Sequence, residues 1–194
     1  LSTGYFAADR GEIKPWDVVA VVGSGPVGLF AQMSALQFDP KVVLAIDSVP
    51  HRLEFSKRIG AVPIDMSTQD PTEVIRQHTN GRGADVVLEA VGIEESLKSC
   101  FRYVRPAGTI SAVGMYTEAE FPFPMFASFL RDISFKIGMC PVKRYMGKLL
   151  ATIAEGKMDP SIIITHTLPL AEAERGYELF HNRTEGCIKV LLTP

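Results

Sequence analysis

The stretch VVGSGPVGLF, residues 21–30, limits the possible folds more than any other part of this chain. No residue between Asp17 and Asp39 carries a charge, so the interval is long enough for the roughly 20 residues that a membrane-spanning helix needs. Gly23, Gly25, Pro26 and Gly28 interrupt its centre, however, and its two halves differ in character. Val18, Val19, Val21 and Val22 are β-branched and favour a strand, whereas Leu29 to Leu36 is rich in helix formers. Strand, glycine turn, helix satisfies both halves, with Pro26 in the first helical turn where a missing N–H costs nothing. The interval is therefore read as part of a folded core, not as a membrane span.

The same alternation continues downstream. Apolar runs of strand length return at KVVLAID (41–47), ADVVLEAVG (84–92), GTISAVG (108–114) and ISFKIG (133–138), with a short run VPID at 62–65. Helix-like segments lie between them: RLEFSKRIG ends on Gly60, and DPTEVIRQ opens with Asp70 and Glu73 at capping-box spacing around Pro71. Repeated β-α units of this length predict an α/β fold, a doubly wound parallel sheet of the Rossmann type. After Gly138 the rhythm changes to a helix-like KRYMGKLLATIAEGK, then SIIITHTLPL, AEAERGYELFHN and CIKVLL. The expected division is a dinucleotide-binding domain over 1–157 and a C-terminal segment over 158–194 that reaches toward a neighbouring domain.

Composition excludes several function classes. Twenty Lys and Arg against 22 Asp and Glu leave a formal charge of −2, without the concentrated cationic face that nucleic-acid binding requires. Cys100, Cys140 and Cys187 are widely spaced with no CxxC pair, and His51, His78, His166 and His181 are scattered, so no metal site is expected. The chain begins at Leu1 with no secretory leader pattern and is expected to be a fragment of a longer, cytoplasmic protein.

Gly23, Gly25 and Gly28 form GxGxxG, a weak signal alone that its context strengthens. A strand precedes it, a helix follows, and Asp47 closes the next strand about 20 residues after the last glycine. Gly23 makes the tight turn, Gly25 lets a pyrophosphate approach the main chain, and Gly28 lets helix and strands lie close. The N–H of Val27 and its neighbours would face the phosphates at the favourable end of the helix dipole. Asp47 would accept hydrogen bonds from the adenosine ribose and repel a 2′-phosphate, which favours NAD over NADP, although Arg52 nearby works in the other direction. A methyltransferase also uses a glycine-rich first turn, but commonly with an acidic residue just ahead of it; here that position is Val22.

Taken in order and spacing, STGY (2–5), AVVGSGPVGL (20–29), AIDSVPHRLEFSKRIGA (45–61), GADVVLEAVG (83–92), GTISAVG (108–114) and GCIKVLL (186–192) resemble the coenzyme domain of the medium-chain, zinc-dependent alcohol dehydrogenases. The resemblance covers nearly the whole chain, and the GSGPVG turn is more similar to the zinc-dependent branch than to the quinone reductases. It implies hydride transfer between an alcohol, or the corresponding aldehyde or ketone, and a nicotinamide cofactor. It also implies that Thr3 lies near the nicotinamide and the metal, that Ala90 and Val91 line the coenzyme cleft, and that Val113 and Met115 pack against the nicotinamide. Met139 and Cys140 would hold its carboxamide through main chain, and Lys189 would approach the pyrophosphate. In the family the catalytic zinc is held by a preceding GroES-like domain whose last ligand would fall before Leu1. The chain is accordingly expected to bind coenzyme, to contain no catalytic or metal-ligating residue, and to be inactive alone. The resemblance further implies a homo-oligomer, dimer or tetramer, formed through the last sheet strand in DISFKIGMC. A non-catalytic nucleotide-binding or redox-sensing module is the alternative.

Overall fold

A computed structural model describes residues 1–118 and 120–194. Helix α1 (Ser2–Gly11) precedes β1 (Val18–Val22), α2 (Pro26–Leu36), β2 (Val42–Asp47), α3 (Pro50–Arg58), β3 (Val62–Asp65), α4 (Pro71–Thr79), β4 (Ala84–Glu89) and α5 (Glu94–Tyr103). There follow β5 (Val104–Ala112), α6 (Met125–Leu130), β6 (Ser134–Ile137), α7 (Val142–Ala154), β7 (Ile164–Pro169), α8 (Ala173–Asn182) and β8 (Lys189–Thr193). Six strands pair in the order β3-β2-β1-β4-β5-β6, and every pairing is parallel. That is the doubly wound order of a dinucleotide-binding sheet. No described helix is long and apolar enough to cross a membrane.

Strand periodicity decides which helix covers which face. On β1, Val18, Ala20 and Val22 join Ile75 of α4 and Leu97 and Cys100 of α5 in one buried cluster. Val19 and Val21 point the other way and meet Ala7 and Ala8 of α1 and Ala31 and Ala35 of α2. The second face is lined by small residues because the two helices cross closely: a Cβ added to Gly4 would sit 2.5 Å from the backbone N of Ala31. Helices α1, α5 and α6 lie where the sequence motifs assign no element. Asp70 caps α4 as its position suggests, accepting from Thr72 N at 2.8 Å, with Pro71 next to it. The apolar run at 84–92 leaves the sheet at Glu89, so Ala90, Val91 and Gly92 belong to a loop.

The last two strands do not join the main sheet. β7 and β8 pair with each other in parallel, joined through α8. This small unit is fastened to the larger one where Ile163 and Ile188 bury against Leu29 of α2.

At the amino-terminal edge of the sheet, Asp85 ties three strands together. Its carboxylate accepts from Val18 N at 2.8 Å and from Arg105 Nε at 2.5 Å, with Arg82 at 3.4 Å. Burial disfavours the ionised form, but the Val18 N–H and the arginines outweigh it, so the carboxyl titrates below its ordinary range. A carboxyl whose folded pKa is depressed adds stability that is present above its unfolded value, about 3.9, and is lost as pH falls through the folded value. Asp85→Asn is expected to lower stability near neutral pH by about 2–4 kcal/mol, because it leaves Arg105 partly buried without its counter-charge. It should also flatten the acid limb of the stability curve below about pH 4. Urea unfolding across pH 3–7 checks both; an unchanged acid limb would show that Asp85 does not carry it.

Candidate functional site

The order of strands reverses between β1 and β4, and the carboxyl ends of β1, β2 and β4 open there onto a cleft of about 420 Å³. Gly23, Gly25, Asp47, Arg52, Ala90 and Val91 line it together. Residues from three separate stretches of sequence thus meet in one crevice.

The corner is shaped by its glycines, each for a different reason. Gly23 has φ +96°, and its N–H donates to Ile46 O at 2.8 Å. A Cβ there would lie 2.7 Å from the Val91 side chain. Gly28 runs so close to the preceding turn that a Cβ would stand 1.9 Å from the Gly23 carbonyl oxygen. Gly25 differs: its φ is −70°, and a Cβ would meet only the Arg52 guanidinium at 3.8 Å. Space has been left in front of it. Among the described residues no side chain caps α2, and Leu29 N makes the first intrahelical bond, to Gly25 O at 2.8 Å. The donors of Val27 and Gly28 therefore face the corner at the positive end of the helix dipole, while Pro26 has none to lose.

Asp47 has a second role that its motif position did not reveal. Oδ2 accepts from Ser24 N at 2.7 Å, and Oδ1 accepts from Ser48 N and Val49 N at 2.8 and 2.9 Å. The carboxylate at the tip of β2 thus anchors the glycine turn after β1. Of its roughly four acceptor positions one is left over for a ligand. Ser24, wholly buried, hydrogen-bonds Gln32 of α2 at 3.0 Å and Ser56 of α3 at 3.1 Å, so the turn is also tied to both flanking helices.

Arg52 is half-buried beside this corner, and its Nε is buried with no partner among the described residues. Burial lowers its pKa; Arg183 lowers it further while Asp47 opposes the shift. Arg183 lines the cleft as well, reaching it from the left-handed position at the end of α8. Nothing in its local sequence pointed there, because its place is set by how the β7–α8–β8 unit docks.

The remaining residues singled out from the sequence do not line this cleft. Val113 and Cys140 pack with Leu1, Tyr5 and Tyr145 in a satellite cluster, and Thr3 lies on α1 beside it. Met115 and Met139 are 85% and 94% exposed. Lys189 borders a different groove, between α8 and β8 with Tyr177 and Phe180, and acts on the Leu1 amino group rather than lining the main cleft. Among the described residues no three His, Cys, Asp or Glu side chains gather as a metal site would require. Cys100 and Cys187 are buried thiols.

Comparison with known proteins agrees with this architecture. Residues 26–155 match the family model described as zinc-binding dehydrogenase. The chain is 39% identical over 194 residues to a probable zinc-binding alcohol dehydrogenase of Mycobacterium tuberculosis, covering all of this chain and 50% of that protein. It is 31% identical to the sorbitol dehydrogenase of Bacillus subtilis, covering 100% of this chain and 55% of the other. Its fold superposes on alcohol dehydrogenase TADH from Thermus sp. ATN1 with a TM-score of 0.96 at 42% identity, covering 100% of this chain and 55% of that one. The chain thus spans about half the length of the relatives it matches. With its sheet order, its glycine corner and these matches in agreement, the chain belongs to the zinc-binding dehydrogenases and forms the coenzyme-binding domain of that family.

Proposed function

We propose that this chain holds NAD along the cleft at the strand reversal, as part of an alcohol dehydrogenase-like enzyme that moves a hydride between an alcohol and its carbonyl product. The observation that carries this reading is the contrast among the glycines: two are required by packing, whereas Gly25 alone opens onto empty space beside free helical N–H groups. The buried Arg52 Nε, unpartnered among the described residues, adds a donor at the same place. Bound there, the cofactor supplies the hydride acceptor; the chain's own residues bind and orient it. Asp47, with its last acceptor position, suits an unphosphorylated ribose and repels a 2′-phosphate, so NAD is preferred to NADP despite Arg52 and Arg183.

The zinc that gives the family its name belongs, on this reading, to the GroES-like domain outside residues 1–194, and the β7–α8–β8 unit packs against that domain. The chain alone therefore binds coenzyme without turning over alcohol, and the whole enzyme acts in the cytoplasm. Self-association would run through β6, one of the two edge strands of the sheet. Ile137 on that strand and Phe126 and Phe129 on the neighbouring α6 are exposed there.

Titration of the chain with NADH and NADPH, read by reduced-nicotinamide emission, tests the cofactor assignment. Trp16 is a poor reporter, since it is 82% exposed just ahead of β1, at the opposite end of the strands from the cleft. NADH is expected to bind at least about tenfold more tightly than NADPH, a difference of about 1.4 kcal/mol. Asp47→Ala should erase that preference and weaken NADH binding. Equal or tighter binding of NADPH by the unaltered chain would overturn the assignment.

A further inference from the structure

Glu89, the last residue of β4, is wholly buried and forms no ion pair with lysine or arginine among the described residues. A buried carboxylate without a counter-ion must be satisfied by hydrogen bonds, and this one is satisfied by two different loops and by Ser96 of α5. Its Oε1 accepts from Val91 N at 2.8 Å, Gly92 N at 2.9 Å and the Ser96 hydroxyl at 2.7 Å. Its Oε2 accepts from the Tyr116 hydroxyl at 2.6 Å. The backbone of the same residue repeats the pattern, with Glu89 O accepting from Val113 N at 2.9 Å. One side chain therefore joins the loop after β4 to the loop after β5.

The two loops are in direct backbone contact beside it. A Cβ on Gly114 would lie 2.3 Å from Gly92 N and within 2.4 Å of Glu89 Oε2, and a Cβ on Gly92 would lie 2.5 Å from Met115 N. Glycine at both positions brings the loops close enough for a single carboxylate to span them. Burial first, and then the bond to Glu89, pushes the Tyr116 phenol far above its usual range, so it remains a donor at any physiological pH.

The sheet order says which half of a ligand these loops would meet. Asp47 stands at the tip of β2 on one side of the reversal, and β4 and β5 stand on the other. A dinucleotide lying across the reversal places its adenosine half over β2 and its second half over β4 and β5. We infer that Glu89 and Tyr116 are positioning residues for the nicotinamide half of the coenzyme, fixing the joined Ala90–Gly92 and Val113–Met115 segments against which that half lies. The inference rests on the coenzyme reading above.

Tyr116→Phe removes the bond across the loops and keeps the ring. NADH and ADP-ribose, which lacks the nicotinamide, are titrated separately into the unaltered chain and the variant, and thermal unfolding is followed in parallel. The NADH dissociation constant should rise about threefold to tenfold, the scale of one ordinary hydrogen bond, while that of ADP-ribose stays within about twofold. Glu89→Gln should show the same split, since an amide has only one acceptor oxygen to share between the two loops. Equal loss for both ligands, or no loss for NADH, would overturn the positioning role while leaving the coenzyme reading intact. Failure of the unaltered chain to bind either ligand would overturn both.

Discussion

Alanine at position 25 is expected to abolish most coenzyme affinity while leaving the fold nearly untouched. Gly25 has φ −70° and ψ −178°, an extended conformation that any residue adopts, and an added methyl would approach only the end of the flexible Arg52 side chain, at 3.8 Å. Alanine is a poorer N-cap than glycine, while its stiffer unfolded chain offsets part of that loss, so unfolding free energy should move by no more than about 1 kcal/mol. The methyl nevertheless projects into the open space at the corner, where a pyrophosphate must come within hydrogen-bonding distance of the Val27 and Gly28 N–H groups. NADH affinity should fall by about tenfold to a hundredfold, or about 1.4–2.7 kcal/mol. Reduced-nicotinamide titration beside a urea unfolding curve measures both quantities; undiminished NADH affinity would mean that nothing is gripped at this corner.

Alanine at position 28 should do the opposite, damaging the fold first and function only as a consequence. Its Cβ would stand 1.9 Å from the Gly23 carbonyl oxygen and 2.7 Å from the carbonyl carbon, far inside any real contact, and both atoms are backbone. Side chains can rotate away from an added methyl, but this turn is fixed by Gly23 N to Ile46 O and by Ser24 N to Asp47. Helix α2 must therefore lift off the sheet, breaking its contacts with Val19 and Val21 through Ala31 and Ala35. A loss of more than about 3 kcal/mol is expected, above the usual range for an overpacked core site because no neighbour can yield. A shift in the urea midpoint small enough to match that of Gly25→Ala would contradict the close approach.

The two substitutions test roles that the motif itself distinguishes. GxGxxG assigns its glycines a tight turn, a ligand approach and a close packing, and the structure adds the distances: a Cβ at Gly23 or Gly28 meets neighbouring atoms at 2.7 or 1.9 Å, whereas one at Gly25 meets nothing nearer than 3.8 Å. Asp47 is a similar case. Its place at the end of the second strand marked it as a ribose ligand, but three of its acceptor positions turn out to hold Ser24, Ser48 and Val49. Glu89 and Arg183 carried no signal at all. A buried glutamate at a strand end reads as an ordinary charged residue until Tyr116, 27 positions later, is brought to its other oxygen. Helix α1 was also invisible, because STGYFAADRG has little apolar periodicity; its small residues make sense only against α2, which they allow to come close.

What the sequence determined alone was local: the strand–turn–helix at 18–36, the return of strand-length apolar runs, and the spacing from the glycines to Asp47. These are short-range properties, set by side-chain branching, by period and by turn chemistry within a few residues of each other. Tertiary structure decided which distant groups share one space. It brought Arg183 to Arg52, sent Lys189 to another groove, seated Trp16 away from the cleft and suspended two loops from Glu89. Such juxtapositions follow from how whole elements pack, and packing depends on the volumes and backbone polar groups of residues far apart in the chain, which no local pattern records.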